Sequence, residues 1–312
     1  MTTPSPPTRG QILAGRLRGH VEMLAGTIGP RNLSHPSAYE AAEAYISREL
    51  TGAGYHVHRL PYRCGGREVA NLEARLEQGV TRGDPIVVGA HYDTCGDTPG
   101  ADDNASAIAA LIEIARLLRA QSDADKPPRR PVRFVAFANE EPPHFMTDTM
   151  GSLVYARACR QRGENLAGML CLEMFGYFLT EKCSQPYPPE LPAALSKTLP
   201  SRANFLVLIS DTASSRFTYR LRRKMGMRAR LDPSLPSVPF FAFALPPAFT
   251  GGGHMLSDHW SFRQAGYQSL MATDTAFVRN PNYHMPSDTP GTLDYPRTAQ
   301  AVIRLARGMR RV

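Results

Sequence analysis

In this 312-residue chain, histidine and carboxylate side chains stand at the ends of apolar runs, where charge is least expected. Ile86-Val87-Val88-Gly89-Ala90 runs into His91 and Asp93, Val132 to Asn139 into Glu140-Glu141, and Leu170-Cys171-Leu172 into Glu173. Between the first run and the helical stretch that follows it, Gly100-Ala101-Asp102-Asp103-Asn104-Ala105-Ser106 supplies two more carboxylates. Helix N-capping by Asp103 or Asn104 is the alternative for that segment taken alone, and the other strand-end residues weigh against it. A further imidazole, His284, sits in Asn282-Tyr283-His284-Met285-Pro286-Ser287-Asp288-Thr289. Histidine and carboxylate donors suit zinc or another borderline first-row ion, and carboxylates able to bridge suggest two ions about 3.5–4 Å apart. The chemistry such a site supports is metal-assisted hydrolysis.

The elements that must position these residues follow from the apolar periodicity. Gln11 to Leu24 and Ser37 to Leu50 carry helical spacing, and Gly52 and Gly54 suit a helix stop. Tyr55 to Tyr62 and Glu68 to Leu76 alternate around Cys64-Gly65-Gly66, as expected of a hairpin at a sheet edge, closed by a turn at Gly79 to Asp84. Strands at 86–90, 132–138 and 166–172 then alternate with helices at 105–120 and 151–162. Strands at 205–209, 240–244 and 270–273, with helices at 214–225, 257–265 and 297–310, continue the alternation. Wholly apolar strands separated by helices predict an α/β fold, a three-layer α/β/α sandwich with a mixed, mostly parallel central sheet. In open sheets of that kind ligands sit beyond the carboxyl ends of the strands, so His91, Glu140-Glu141 and Glu173 should converge on one crevice. Ser122–Pro131 and Ser184–Pro200 are expected to be rim loops. One domain accounts for residues 1–312, with 1–14 as a flexible N-terminal tail.

His91-Tyr92-Asp93, Gly100 to Ser106, Asn139-Glu140-Glu141, Leu172-Glu173-Met174-Phe175-Gly176-Tyr177, Ser257-Asp258-His259 and Tyr283-His284 occur in an order that resembles the co-catalytic di-zinc aminopeptidases. Bacterial leucine-type aminopeptidases belong to that family, with glutamate carboxypeptidases and glutaminyl cyclases as relatives, and the resemblance runs over about residues 15–310. It implies two Zn2+ ions per chain, one bound by His91 and the other by His284, bridged by Asp103, with Glu141 and Glu173 each completing one shell. It further implies a cis Asp103–Asn104 peptide bond, Asp93 orienting His91, and Glu140 as general base for a metal-bridging water. The implied reaction is removal of the N-terminal residue from peptides with a free N-terminus. The chain departs from the leucine-aminopeptidase pattern in three places: Glu173 stands where those enzymes have Asp, Pro142 to Met150 lengthens a link, and Ala107 replaces a common Gly.

Composition bounds the alternatives. With 42% hydrophobic and 21% charged residues the chain reads as an ordinary globular protein with a large core. The longest apolar stretch, Phe240 to Phe249, is interrupted by Pro246 and Pro247 and is too short for a membrane span. The N-terminus lacks the apolar core of a secretory signal, so the expected location is the cytoplasm. Five cysteines without a CxxC pair argue against disulfides and a thiolate zinc site, and are expected to act as buried small hydrophobes. The net charge of +8 comes from scattered arginines, which does not favour a nucleic-acid partner. Three other readings share the expected fold: a one-zinc glutaminyl cyclase, a carboxypeptidase-like enzyme needing a cation such as Arg263 or Arg279, and a non-catalytic binding domain of the transferrin-receptor kind. Val238–Phe249 and Gly251–His254 are candidate pocket or lid segments.

Overall fold

The computed structural model describes residues 6–77, 83–187, 196, 199–226, 230–246 and 255–312. Among the described residues, eight strands form one sheet: β1 (Val57–Cys64), β2 (Arg67–Leu76), β3 (Ile86–His91), β4 (Val132–Phe137), β5 (Gly168–Glu173), β6 (Leu206–Asp211), β7 (Phe240–Leu245) and β8 (Ser269–Thr273). Their order is β1-β2-β4-β3-β5-β8-β6-β7. The central four, β4, β3, β5 and β8, run parallel, while β2 and β6 pair antiparallel to them. This is the mixed, mostly parallel sheet that the apolar strands predict. β1 and β2 form the expected edge hairpin, and its two-residue turn has Gly65 and Gly66 at φ 56° and 78°, a pairing that requires glycine.

Alternation along the strands sorts their side chains between two helical layers. Val88, Phe134, Ala136, Leu170 and Leu172 face the larger core, which also holds buried residues of α1 (Arg9–Val21), α2 (Pro36–Gly52), α3 (Ala107–Asp123), α5 (Ser215–Met225) and α7 (Tyr295–Arg311). Val87, Val135, Phe137, Met169 and Cys171 face the other side, against α4 (Gly151–Gln161) and α6 (His259–Gln264). Strands covered on both faces can be apolar at every position, which is why β3, β4 and β5 are buried throughout.

Two expectations are corrected. Residues 9–14 are not a flexible tail: α1 starts at Arg9, closed by a capping box in which Gln11 N donates to Thr8 Oγ1 at 3.2 Å and Thr8 N donates to Gln11 Oε1 at 2.8 Å. Burial of Leu13, Ala14 and Leu17 then fixes the helix on the core. The Gly100–Ser106 segment does not cap a helix through Asp103 or Asn104. Residues Ala101–Ser106 form a buried wide turn leading into α3, with non-helical backbone at Asp103 and Asn104, and α3 has no side-chain cap. Part of the turn placed at Gly79 to Asp84, much of Ser184–Pro200, the end of Val238–Phe249 and all of Gly251–His254 lie outside the described residues. Among those described, no helix is long and apolar enough to cross a membrane.

Candidate metal centre and active site

The site forms at the carboxyl ends of β3, β4 and β5. His91 is the last residue of β3 and Glu173 the last of β5, while Glu140 and Glu141 lie on the loop leaving β4. The turn between β3 and α3 brings Asp103 across them, and the segment before α7 brings His284. Asp103 stands at the centre: its Oδ1 is 3.3 Å from His91 Nε2 and its Oδ2 is 3.2 Å from His284 Nε2. Each imidazole has a second carboxylate. Glu173 Oε2 is 3.4 Å from His91 Nε2, and Glu141 Oε2 is 3.2 Å from His284 Nε2. Glu140 Oε2 lies 3.8 Å from His91 Nε2. Of the paired carboxylates in the turn, only Asp103 faces the imidazoles. Asp102 instead accepts hydrogen bonds from Gly176 N, Ser106 Oγ and Asn280 Nδ2.

Asp93 organises this cluster from behind. Its backbone and side-chain oxygens lie 3.3 and 3.4 Å from His91 Nδ1, which leaves Nε2 facing the carboxylates. Its two side-chain oxygens also accept the backbone N–H groups of Glu140 and Glu141, each at 3.0 Å, fixing the loop that carries both glutamates. Further supports come from other parts of the chain. Asp288 accepts the N–H groups of Asp102 and Asp103 at 2.9 and 3.1 Å, and Ser257 donates to Glu173 Oε2 at 2.6 Å. Tyr283 stacks on His284 with ring centroids 3.7 Å apart. The Asp103–Asn104 peptide bond is cis.

Five carboxylates and two imidazoles thus share a largely buried space that opens to solvent at half-buried His284. Burial raises Glu140 well above its ordinary value, with repulsion from Glu141 and Glu173 adding, and pushes Glu141 up to about 8, with repulsion from Asp103 adding. Burial alone would lower His284, but Asp103 and Glu141 outweigh it and raise the imidazole to about 10. Asp103, between two imidazoles, is lowered despite its burial. Glu141 Oε1 and His284 Nε2 are buried without a hydrogen bond of good geometry. A surplus of carboxylates gathered 3.2–3.4 Å from two imidazole nitrogens is what divalent cations would satisfy. The donor set fits such ions.

Cys95 departs from the sequence reading, which treated all five cysteines as buried small hydrophobes and argued against a thiolate zinc site. Cys64, Cys159 and Cys171 are buried, but Cys183 is exposed and Cys95 is half-buried beside this cluster. The two arginines considered for a carboxylate pocket are already engaged: Arg263 donates to Asp211 at 2.6 Å, and buried Arg279 to Gln185, Tyr177 and Phe205.

Similarity to known proteins agrees with this arrangement. The chain is 34% identical to the uncharacterized protein YfbL of Escherichia coli over 305 residues, covering 95% of this chain and 88% of that one. It is 26% identical to a probable leucine aminopeptidase 1 of Trichophyton verrucosum, covering 67% of this chain and about half (49%) of that longer protein. Its fold matches LapB of Legionella pneumophila with a TM-score of 0.68 at 17% identity, over 99% of this chain and 76% of that one. It matches the glutaminyl cyclase of Fimbriiglobus ruber with a TM-score of 0.65 at 18% identity, over 99% of both chains. The sequence model of peptidase family M28 matches residues 71–308, a span containing every side chain of the cluster around Asp103, and the chain belongs to that family.

Proposed function

We propose that the chain is one catalytic domain that hydrolyses the N-terminal residue from peptides, using two divalent ions, zinc or similar. The pairing of distances around Asp103 supports this reading most directly: one of its oxygens faces His91, the other His284, and each imidazole has its own additional glutamate. His91 and Glu173 would hold the first ion, His284 and Glu141 the second, and Asp103 both. Bound there, the ions would polarise the scissile carbonyl and make a water between them acidic near neutrality. Glu140, 3.8 Å from His91 Nε2, would accept the proton of the attacking water and return it to the leaving amine. Its burial, which raises its proton affinity, suits a group that must both accept and return a proton. Asp93 holds His91 in one orientation and keeps the Glu140-Glu141 loop in register with it.

Glutaminyl cyclisation is the second reading, favoured by the end-to-end match to a cyclase fold of the same length. The two are separated by three substrates: an aminoacyl anilide, its N-acetylated form, and a peptide with N-terminal glutamine. Hydrolysis of the free-amine anilide alone is the expected result. Pyroglutamate from the third substrate without hydrolysis of the first would replace the peptidase reading with the cyclase one.

A further inference from the structure

Cys95 lies on the loop after β3, two residues beyond Asp93, and that loop is tied down on both sides. Thr94 Oγ1 accepts from Arg31 N at 3.0 Å, and Thr94 N donates to Arg31 O at 3.1 Å. Asn32 Nδ2 donates to Thr94 O at 2.9 Å and to Gly96 O at 2.7 Å. The carbonyl of Cys95 itself accepts from Thr98 N and Oγ1 at 3.1 and 2.7 Å. The side chain is therefore presented by fixed backbone. Its Sγ, a Glu141 carboxylate oxygen and a His284 ring nitrogen all lie within 4.8 Å of one another. Glu141 is only 4% exposed, and its Oε1 has no hydrogen-bond partner among the described residues. That unpartnered oxygen belongs to the carboxylate grouped with Cys95 Sγ and His284, so the group retains capacity for a ligand.

We propose that Cys95 Sγ is an additional protein ligand of the ion held by His284, Asp103 and Glu141. The inference rests on the two-ion reading above. Coordination breaks the S–H bond, forms a sulfur–metal bond and releases the proton to solvent, with no change of oxidation state. The consequence is a pair of unequal sites. One ion has nitrogen and oxygen donors only, whereas the other gains a soft donor that favours zinc, cobalt or cadmium over magnesium or manganese. None of the remaining cysteines has this setting: Cys64 lies against His144, Cys159 and Cys171 sit within the core, and Cys183 is exposed.

The test uses the full chain, stripped with a chelator and titrated with Co2+ while absorption is recorded and bound metal is counted, for the wild type and Cys95→Ser. The wild type is expected to bind two ions and to develop a near-ultraviolet sulfur-to-cobalt charge-transfer band. Cys95→Ser should lose that band while keeping the visible cobalt bands of the other donors. Two bound ions without the band, or a band that survives in Cys95→Ser, overturns the assignment and leaves the two-ion site standing. Fewer than two bound ions removes the two-ion reading and this assignment with it. A second measurement covers a variant that folds poorly: in the wild type, Cys95 should react with a thiol reagent when stripped and be protected when zinc-loaded, read by peptide mass. Exposed Cys183 should react in both states, and equal labelling of Cys95 in both overturns the proposal.

Discussion

Glu140 and Glu141 are adjacent in sequence yet meet different neighbours, since Glu141 lies 3.2 Å from His284 and Glu140 lies 3.8 Å from His91. That divergence makes their substitutions separable. Glu140→Gln should keep its metal and lose about 10²–10⁴-fold in turnover, because only proton transfer is removed. Glu141→Gln, His284→Ala or Asp103→Ala should instead lower the metal content found by elemental analysis. A Glu140→Gln protein that loses its metal while Glu141→Gln retains it would show the pair reversed. Asp93→Ala should weaken metal binding by about 10–100-fold, measured by competition with a chelator, since it frees both the His91 ring and the Glu140-Glu141 loop. At this scale the sequence displays side chains at strand ends and hides those brought in by long-range folding. His91, Glu140, Glu141 and Glu173 stand out because a charge terminates an apolar run. Asp288 and Cys95 carry no such signal: their importance comes from backbone amides and ligand atoms contributed from elsewhere in the chain.

The elements that carry these residues meet with little spare room. A Cβ on Gly151, the first residue of α4, would stand 2.2 Å from the backbone oxygen of Ala138 and 2.5 Å from Asn71 Oδ1. Gly151→Ala is therefore expected to push α4 away from the end of β4 and cost about 1–3 kcal/mol, seen as a lower denaturant midpoint at unchanged slope. On the opposite layer, α1 and α3 are joined by Glu113, whose carboxylate lies 3.0 Å from Arg16, 3.2 Å from His20 and 3.0 Å from Arg116. Burial would raise the Glu113 carboxyl, but His20 and the arginines outweigh it and lower it from 4.5. A lowered carboxyl contributes stability that is present above about pH 4.5 and is lost as pH falls through its value in the folded protein. The stability difference between wild type and Glu113→Gln should thus be largest near neutrality and shrink below about pH 4.5. A difference that grows on acidification would contradict this sign. Helix and strand cores were legible from periodicity, while element ends were not. α3 begins at Ala107 rather than 105 because the preceding residues leave the helical path to present Asp103, a demand of the site that the helical periodicity does not record.

Across the whole molecule, the layered fold followed from strands that are apolar on both faces, but the reversal of β6 and β7 relative to the central strands did not. Strand direction is set by where chain connections lead, and burial patterns are blind to it. Arg31 was equally invisible. Its side chain is fully buried and donates to carbonyls of Leu24, Gly29, Tyr92, Pro99 and Gly100, locking the N-terminal segment to the loop beneath the site. Because the cluster gathers anionic groups that repel one another, ion binding should stabilise the entire fold. At a free zinc concentration 100 times Kd the gain is about 2.7 kcal/mol per site, so the Tm of the loaded protein should exceed that of the stripped one. The most direct test of the central claim is a titration of the stripped protein with zinc, following release of the anilide from a free-amine aminoacyl anilide against bound metal. Turnover should be absent without metal, rise on addition and level off at about two bound ions per chain. Full turnover in metal-free protein, or a chain saturated with two ions that hydrolyses nothing, would contradict the account.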